Sequence, residues 1–296
     1  MNDSIERPVD GGNIGRFVAI TYAWSWMLWT PVVLGAYGVI DGVGAYSPNW
    51  FYDFAHPSRI TLAHVLTLLG GCGPMVAATW MVYARGGAPS VRALWRKALD
   101  VRRAHPGWVL AAVLFPVGYV GLSYAITSAV TGQPVAFGTG PLAADSVAVV
   151  VGLFLISVSA MAIMIVIEEM GWRAYLLPLL QRRRSALAAS VWVGVITIPM
   201  AIFLTFFYNS TGGSLLVVMA LHGAHNSTLR LLAMDPSGEQ SGAAGVQLVS
   251  ETLVPIVLAV ALVAIVGRAN LSRRSKQVTP IEGYPHPSGR SAPQRT

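Results

Sequence analysis

Apolar runs of about 20 residues recur along this chain, roughly Phe17 to Ile40, Ile60 to Tyr83, Trp108 to Val130, Ser146 to Ile167, Ala186 to Tyr208, Ser214 to Met234 and Val249 to Val266. A helix of that length spans the ~30 Å hydrocarbon core of a bilayer, where a lipid-exposed backbone must satisfy its hydrogen bonds internally. The composition agrees. The chain is 54% hydrophobic and 11% charged, whereas soluble domains carry about 25% charged residues. The pattern predicts an all-α fold, a polytopic transmembrane bundle of about seven apolar segments. It divides into a polar tail (1–15), a membrane domain (16–267) and a basic, disordered tail (268–296). Asp3, Glu6, Arg7 and Asp10 interrupt the start, so no cleavable signal peptide is expected before the first run. Cys72 is the single cysteine and permits no internal disulfide.

The net charge of +7 follows loop topology. Arg85, Arg92, Arg96, Lys97, Arg102 and Arg103 fall between the second and third runs, and Arg182, Arg183 and Arg184 follow the fourth. The positive-inside rule places both loops in the cytoplasm and the connections holding Asp53 and Asp145 outside. The tail adds Arg268, Arg273, Arg274 and Lys276 before turning rich in Pro, Ser and Gly, and is expected in the cytoplasm. Nucleic acid is not an expected partner; the bilayer is, with a bacterial plasma membrane the expected location. Seven complete crossings from a cytoplasmic N-terminus would put that tail outside. The run from Ala186 to Tyr208, which holds Gly194 and Pro199, is therefore expected to break and not to cross. The connection holding Asp235 and Glu239 then lies outside.

Glu168 and Glu169 close the apolar run that begins at Ser146, with Arg173 one turn further on. Ionisable groups in a membrane segment cost roughly 2.5–3.5 kcal/mol each on insertion scales, so their default reading is functional. As helix neighbours the two carboxylates point about 100° apart, and Arg173 lies four residues after Glu169. One Glu can pair with the Arg while the other is left to act as a base or a metal ligand. Downstream, His222 and Asn226 share a helical face, with His225 alongside. Carboxylate, imidazole and amide are the parts needed to activate water and to stabilise an oxyanion. The same residues also read as a structural ion pair and as interhelical hydrogen-bonding glue. His64 and Trp24, Trp26, Trp29, Trp80 and Trp108 read as packing or interfacial residues.

At these positions the sequence resembles the CAAX prenyl protease and bacteriocin-processing family (CPBP, or Abi) of intramembrane metalloproteases. Its EExxxR motif is matched by Glu168-Glu169-Met170-Gly171-Trp172-Arg173, with Leu177-Pro178 following, and its HxxxN motif by His222 and Asn226. Tyr208-Asn209-Ser210-Thr211-Gly212-Gly213 is similar to the lead-in to the second of these, and Gly73-Pro74 is also similar. The resemblance covers roughly Ile60 to Arg230. It implies that Glu168 is the general base, that His222 binds or polarises the water, and that Asn226 stabilises the oxyanion. Glu169 and Arg173 would shape the site. It also implies a divalent metal such as zinc and a membrane-associated peptide or protein substrate.

One motif departs from the family. Where a middle-motif His is expected the chain reads Val193-Gly194-Val195-Ile196-Thr197-Ile198-Pro199, so Thr197 stands in its place. A hydroxyl does not replace an imidazole as metal ligand at neutral pH. Glu168, His222 and, in part, His225 remain as candidate metal ligands. The family's two spans between the first and last motifs are also represented here by a single run, as if a segment near Val195 were deleted. Three functions stay open at this stage: an intramembrane endopeptidase, an inactive relative that binds a membrane segment or partner, and a proton- or ion-coupled transporter using Glu168, Glu169 and Arg173.

Overall fold

The structure is a computed structural model that describes residues 11–44, 57–132, 146–194, 197–231 and 241–278. Residues 1–10 of the expected polar tail, the connections holding Asp53, Asp145, Asp235 and Glu239, the position Val195, and residues 279–296 of the expected basic tail lie outside the described residues, while residues 11–15 of the polar tail belong to α1. Regular structure among the described residues is helical throughout, as the apolar runs require. Helices α1 (Gly11–Ala36), α2 (Leu62–Gly71) and α3 (Gly73–Ala98) are followed by α4 (Pro106–Thr131) and α5 (Val147–Glu169). A π-helical turn, Met170–Leu176, leads into α6 (Leu177–Arg183), then α7 (Ala186–Val193), α8 (Ile198–Ser210), α9 (Leu215–Leu231) and α10 (Ser241–Val266).

Among the described residues four helical stretches are long and apolar enough to cross a bilayer: Asn13–Ala36, Pro106–Thr131, Val147–Arg183 and Leu248–Val266; the bent pair α2–α3, counted as one span, makes a fifth. Helix α9 has 17 described residues, the lower limit for a span at about 25 Å. The protein is an integral membrane protein. The run 186–208 is the exception. It is split into α7 and α8, of 8 and 13 residues, about 12 and 20 Å long and each too short to cross alone. Gly194 and Pro199 bracket the break, and a Cβ on Gly194 would stand 2.2 Å from that of Ala201. From Ala201 onward α8 is buried in protein except at Phe206, the condition under which broken helices are tolerated at membrane depth.

The chain falls into two compact units: Met1–Lys97 with Ile167–Leu179 and Val278–Thr296, and Ala98–Val166 with Leu180–Gln277. In the first, α2 and α3 meet at a 42° bend at Cys72. A helix end leaves its last carbonyls without intrahelical partners, and here α1 supplies donors. Trp24 Nε1 donates to Leu69 O at 2.8 Å, Ser25 Oγ to Gly70 O at 2.8 Å and Trp29 Nε1 to Thr67 O at 3.1 Å. Trp24 and Trp29 are thus hydrogen-bond donors to a broken helix as well as packing residues. The two helices touch closely, because a Cβ on Gly70 would overlap Trp29. His64, on the first turn of α2, accepts from the Thr61 N–H at 3.1 Å and so caps that helix. The α3 helix is interrupted at Gly86 and Gly87, the latter at φ +60°, which separates the apolar stretch from the basic one.

The second unit packs α9 and α10 against α4 and α8. Tyr119, Val120, Tyr124 and Val254 form a buried cluster with Phe115 and Leu258 against it. Helix α9 meets α5 through Gly223 and Ser227, four residues apart on one face. A Cβ on Gly223 would lie 2.9 Å from Val158 O and Ala162 N, and Ser157 Oγ donates to Ser227 Oγ at 2.8 Å. This small-residue face is a common way for membrane helices to approach closely.

The expected disorder from residue 268 onward needs correction. Residues 268–278 follow a defined path, held by backbone and side-chain hydrogen bonds to α6, α7 and α8. Polar side chains that the apolar pattern does not single out supply these ties. Lys276 Nζ donates to Arg184 O at 2.5 Å, and partial burial lowers its pKa below the usual lysine value.

Candidate active site

The acidic pair ends α5, but the helical path continues beyond it. Val147–Arg183 is a helical stretch of 37 residues with the pair in its interior. Pro178 has no N–H for the carbonyl four residues back, so an unbroken α ladder cannot run through this stretch. The helix instead widens into the π turn, in which Leu177 N bonds to Trp172 O, five residues earlier. Such turns are rare and concentrate at functional sites. The spacing argument that assumed α geometry throughout is corrected to that extent, although the four-residue pairing survives at its start.

The two carboxylates are sharply different. Glu169 is completely buried, and its Oε1 accepts from Arg173 Nη1 at 3.0 Å, with Arg173 also buried. Glu168, the residue before Glu169, is half-buried. Packing fixes this arrangement. A Cβ on Gly171 would fall 2.3–2.4 Å from Pro74 Cβ, C and O, so only glycine lets the motif lie on Gly73-Pro74. Phe17, itself fully buried, packs against Trp172 and Tyr175 at ring-centroid distances of 5.6 and 5.3 Å.

His222, His225 and Asn226 lie on α9 in the second unit. His222 and Asn226 are half-buried and one helical turn apart, next to the Gly223–Ser227 face that packs on α5. His225 is turned elsewhere: its Nδ1 is hydrogen-bonded to the Tyr119 hydroxyl on α4. The lead-in 208–213 spans the end of α8 and the turn toward α9. Gly212 and Gly213 have φ +68° and +88°, and Arg103 Nη1 donates to Gly212 O at 2.8 Å.

Thr197, at the start of α8, and His225 line one cavity of about 860 Å³ within the second unit. Its wall is mostly apolar, but Tyr119 and Glu251 also line it. Glu251 is a functional candidate that the sequence reading passed over. The signal was present, since a carboxylate inside the run 249–266 obeys the same rule that drew attention to Glu168. Within neither unit do three His, Cys, Asp or Glu side chains of the described residues converge on one point as a metal-binding group. Glu168 belongs to the first unit, and the two histidines to the second.

Residues 148–228 match the family model described as Rce1-like, type II CAAX prenyl endopeptidase. The matched stretch holds Glu168, Glu169, Arg173, Thr197, His222, His225 and Asn226, and it ends before Glu251 and the tail. No curated protein matches the chain. The matched stretch is less than half of the chain; together with the motifs it supports a CPBP, or CAAX protease, assignment, and the apolar helices make the chain an integral membrane protein.

Proposed function

We propose that the chain is an intramembrane endopeptidase that cuts a membrane-associated peptide or protein, with Glu168 as its general base. The observation that carries this reading is the division of labour in the acidic pair. Glu169 is fully buried in an ion pair with Arg173, whereas Glu168 is only half-buried and so partly exposed. Glu168 takes a proton from water, and the resulting hydroxide oxygen attacks the peptide carbonyl carbon. The roles that the family resemblance implies for His222 and Asn226 are to polarise that water and to donate to the developing oxyanion. As the C–N bond breaks, the protonated Glu168 returns its proton to the leaving amine.

The donors for a divalent metal such as zinc are a poor fit. Glu168 and His222 offer one carboxylate and one imidazole, Thr197 offers no imidazole, and no three His, Cys, Asp or Glu side chains of the described residues form a metal-binding group. No step of the mechanism is therefore assigned to a metal. By the positive-inside rule the loops holding Lys97 and Arg183, and the tail beyond Arg268, face the cytoplasm.

A second reading, an inactive relative that binds a membrane segment without cutting it, is favoured by Thr197 alone. The two readings part in one experiment: purified protein in liposomes is given a fluorescent, membrane-anchored peptide library. Product formation by the wild-type chain supports hydrolysis, and saturable binding without product supports the inactive reading.

A further inference from the structure

After α10 the chain runs back along the ends of α6, α7 and α8. The carbonyls of Ala269 and Arg268 accept the first N–H groups of α7, from Ala186 at 2.8 Å and Leu187 at 3.1 Å. Leu271 is fully buried, and Ser210 Oγ donates to Ser272 Oγ at 3.2 Å. To this point the segment is a helix cap and a strap.

Beyond it the contacts change character. Gln181 and Asn209, both completely buried, hold each other through reciprocal amide bonds: Asn209 Nδ2 donates to Gln181 Oε1 at 2.8 Å, and Gln181 Nε2 to Asn209 Oδ1 at 3.3 Å. The fixed pair then reads the main chain of the tail. Gln277 N donates to Asn209 Oδ1 at 3.2 Å, Gln181 Nε2 donates to Gln277 O at 3.0 Å, and Asn209 Nδ2 donates to Asn270 O at 2.7 Å. All three tail atoms belong to the backbone. Gly213, at φ +88°, lies beside the side chain of Gln277.

We propose that Gln181 and Asn209 form a receptor for the main chain of an extended peptide, with residues 275–278 as an occupant in cis that a second peptide displaces in trans. One residue of the occupant has both its N–H and its C=O satisfied, which is how a strand is recognised when it adds to a sheet edge, with main-chain bonds giving affinity. Such recognition takes peptides of many sequences. The reciprocal amide pair orients both side chains before a peptide arrives, which lowers the cost of binding. Residues 275–278 form no helix or strand, and Ser275 is exposed while Lys276 and Gln277 are half-buried. The proposal goes beyond peptide hydrolysis, since binding alone reads it.

The test uses the full-length protein in detergent micelles and a fluorescein-labelled peptide with the sequence of residues 273–281, followed by fluorescence anisotropy. In a Gln277→Pro variant the cis segment loses the N–H that Asn209 accepts. The labelled peptide should then bind roughly five- to tenfold more tightly than to the wild type, as expected for one lost hydrogen bond in the competitor. The same peptide N-methylated at the position of Gln277 should lose that gain. Equal affinity for wild type and variant, or full binding of the N-methylated peptide, overturns the proposal. Hydrogen exchange on the unaltered protein gives a second reading that does not depend on the variant folding. Saturating peptide should speed exchange at the Gln277 amide, and an unchanged rate would also overturn the proposal.

Discussion

Breaking the Glu169–Arg173 pair from either side should be far more damaging than removing it whole. Glu169 has no exposed surface, Arg173 is 6% exposed, and the two meet at 3.0 Å. Arg173→Met leaves the fully buried Glu169 carboxylate without its guanidinium partner. Stranding one buried charge in this way costs about 3–5 kcal/mol, whereas replacing both partners with apolar residues of similar volume is neutral or stabilising. Arg173→Met and Glu169→Leu should each therefore lose about 3–5 kcal/mol, and the double variant less than either alone. The measurement is reversible unfolding by SDS titration in mixed micelles, with the four proteins of the cycle compared. A loss under about 1 kcal/mol for Arg173→Met, or strict additivity in the double variant, would mean that water reaches the pair. Glu169 would then no longer be the structural partner, and the assignment of Glu168 as base would lose its footing.

Other expectations follow from particular contacts. Gly171→Ala pushes a methyl into the Pro74 backbone and should cost about 1–3 kcal/mol, at the upper end because main chain yields less than a side chain; an unchanged melting midpoint would contradict the close approach. Thr197→His adds an imidazole to the cavity that His225 lines and should raise zinc retained after purification, measured by plasma emission spectroscopy. Unchanged zinc would mean that Thr197 does not occupy the vacant ligand position. In a Cys72→Ser background, cysteines at Lys97 and Arg183 should resist an impermeant maleimide on intact cells, while those at Asp53 and Asp145 should react; the reverse pattern would invert the topology.

Much of this was legible in the sequence, for physical reasons. Apolar runs report helices because hydrocarbon leaves little else, and Gly194 with Pro199 reported the broken run because both residues disfavour a helix interior. The Glu169–Arg173 pair was legible because a four-residue spacing needs no knowledge of the fold. What stayed hidden is long-range. The Gln181–Asn209–Gln277 network joins positions up to 96 apart in sequence, and no periodicity announces it, so a polar basic segment read as disorder. The Tyr119–His225 bond is of the same kind. The π turn was half-visible, because Pro178 forbids a regular ladder but does not say how the helix will adjust. Glu251 was fully visible and overlooked beside the louder acidic pair.

The central claim is that Glu168 supplies the base for peptide hydrolysis while Glu169 supports the structure. The most direct test is the initial rate of cleavage of a membrane-anchored, quenched-fluorescent peptide in proteoliposomes by wild-type protein and by Glu168→Gln, both checked for equal thermal midpoints. The account predicts cleavage by the wild type and a fall of at least about 100-fold in the variant, the usual loss when a positioned general base is removed. A Glu168→Gln protein that is equally stable and cleaves at the wild-type rate, or a folded wild type that cleaves nothing, would contradict it.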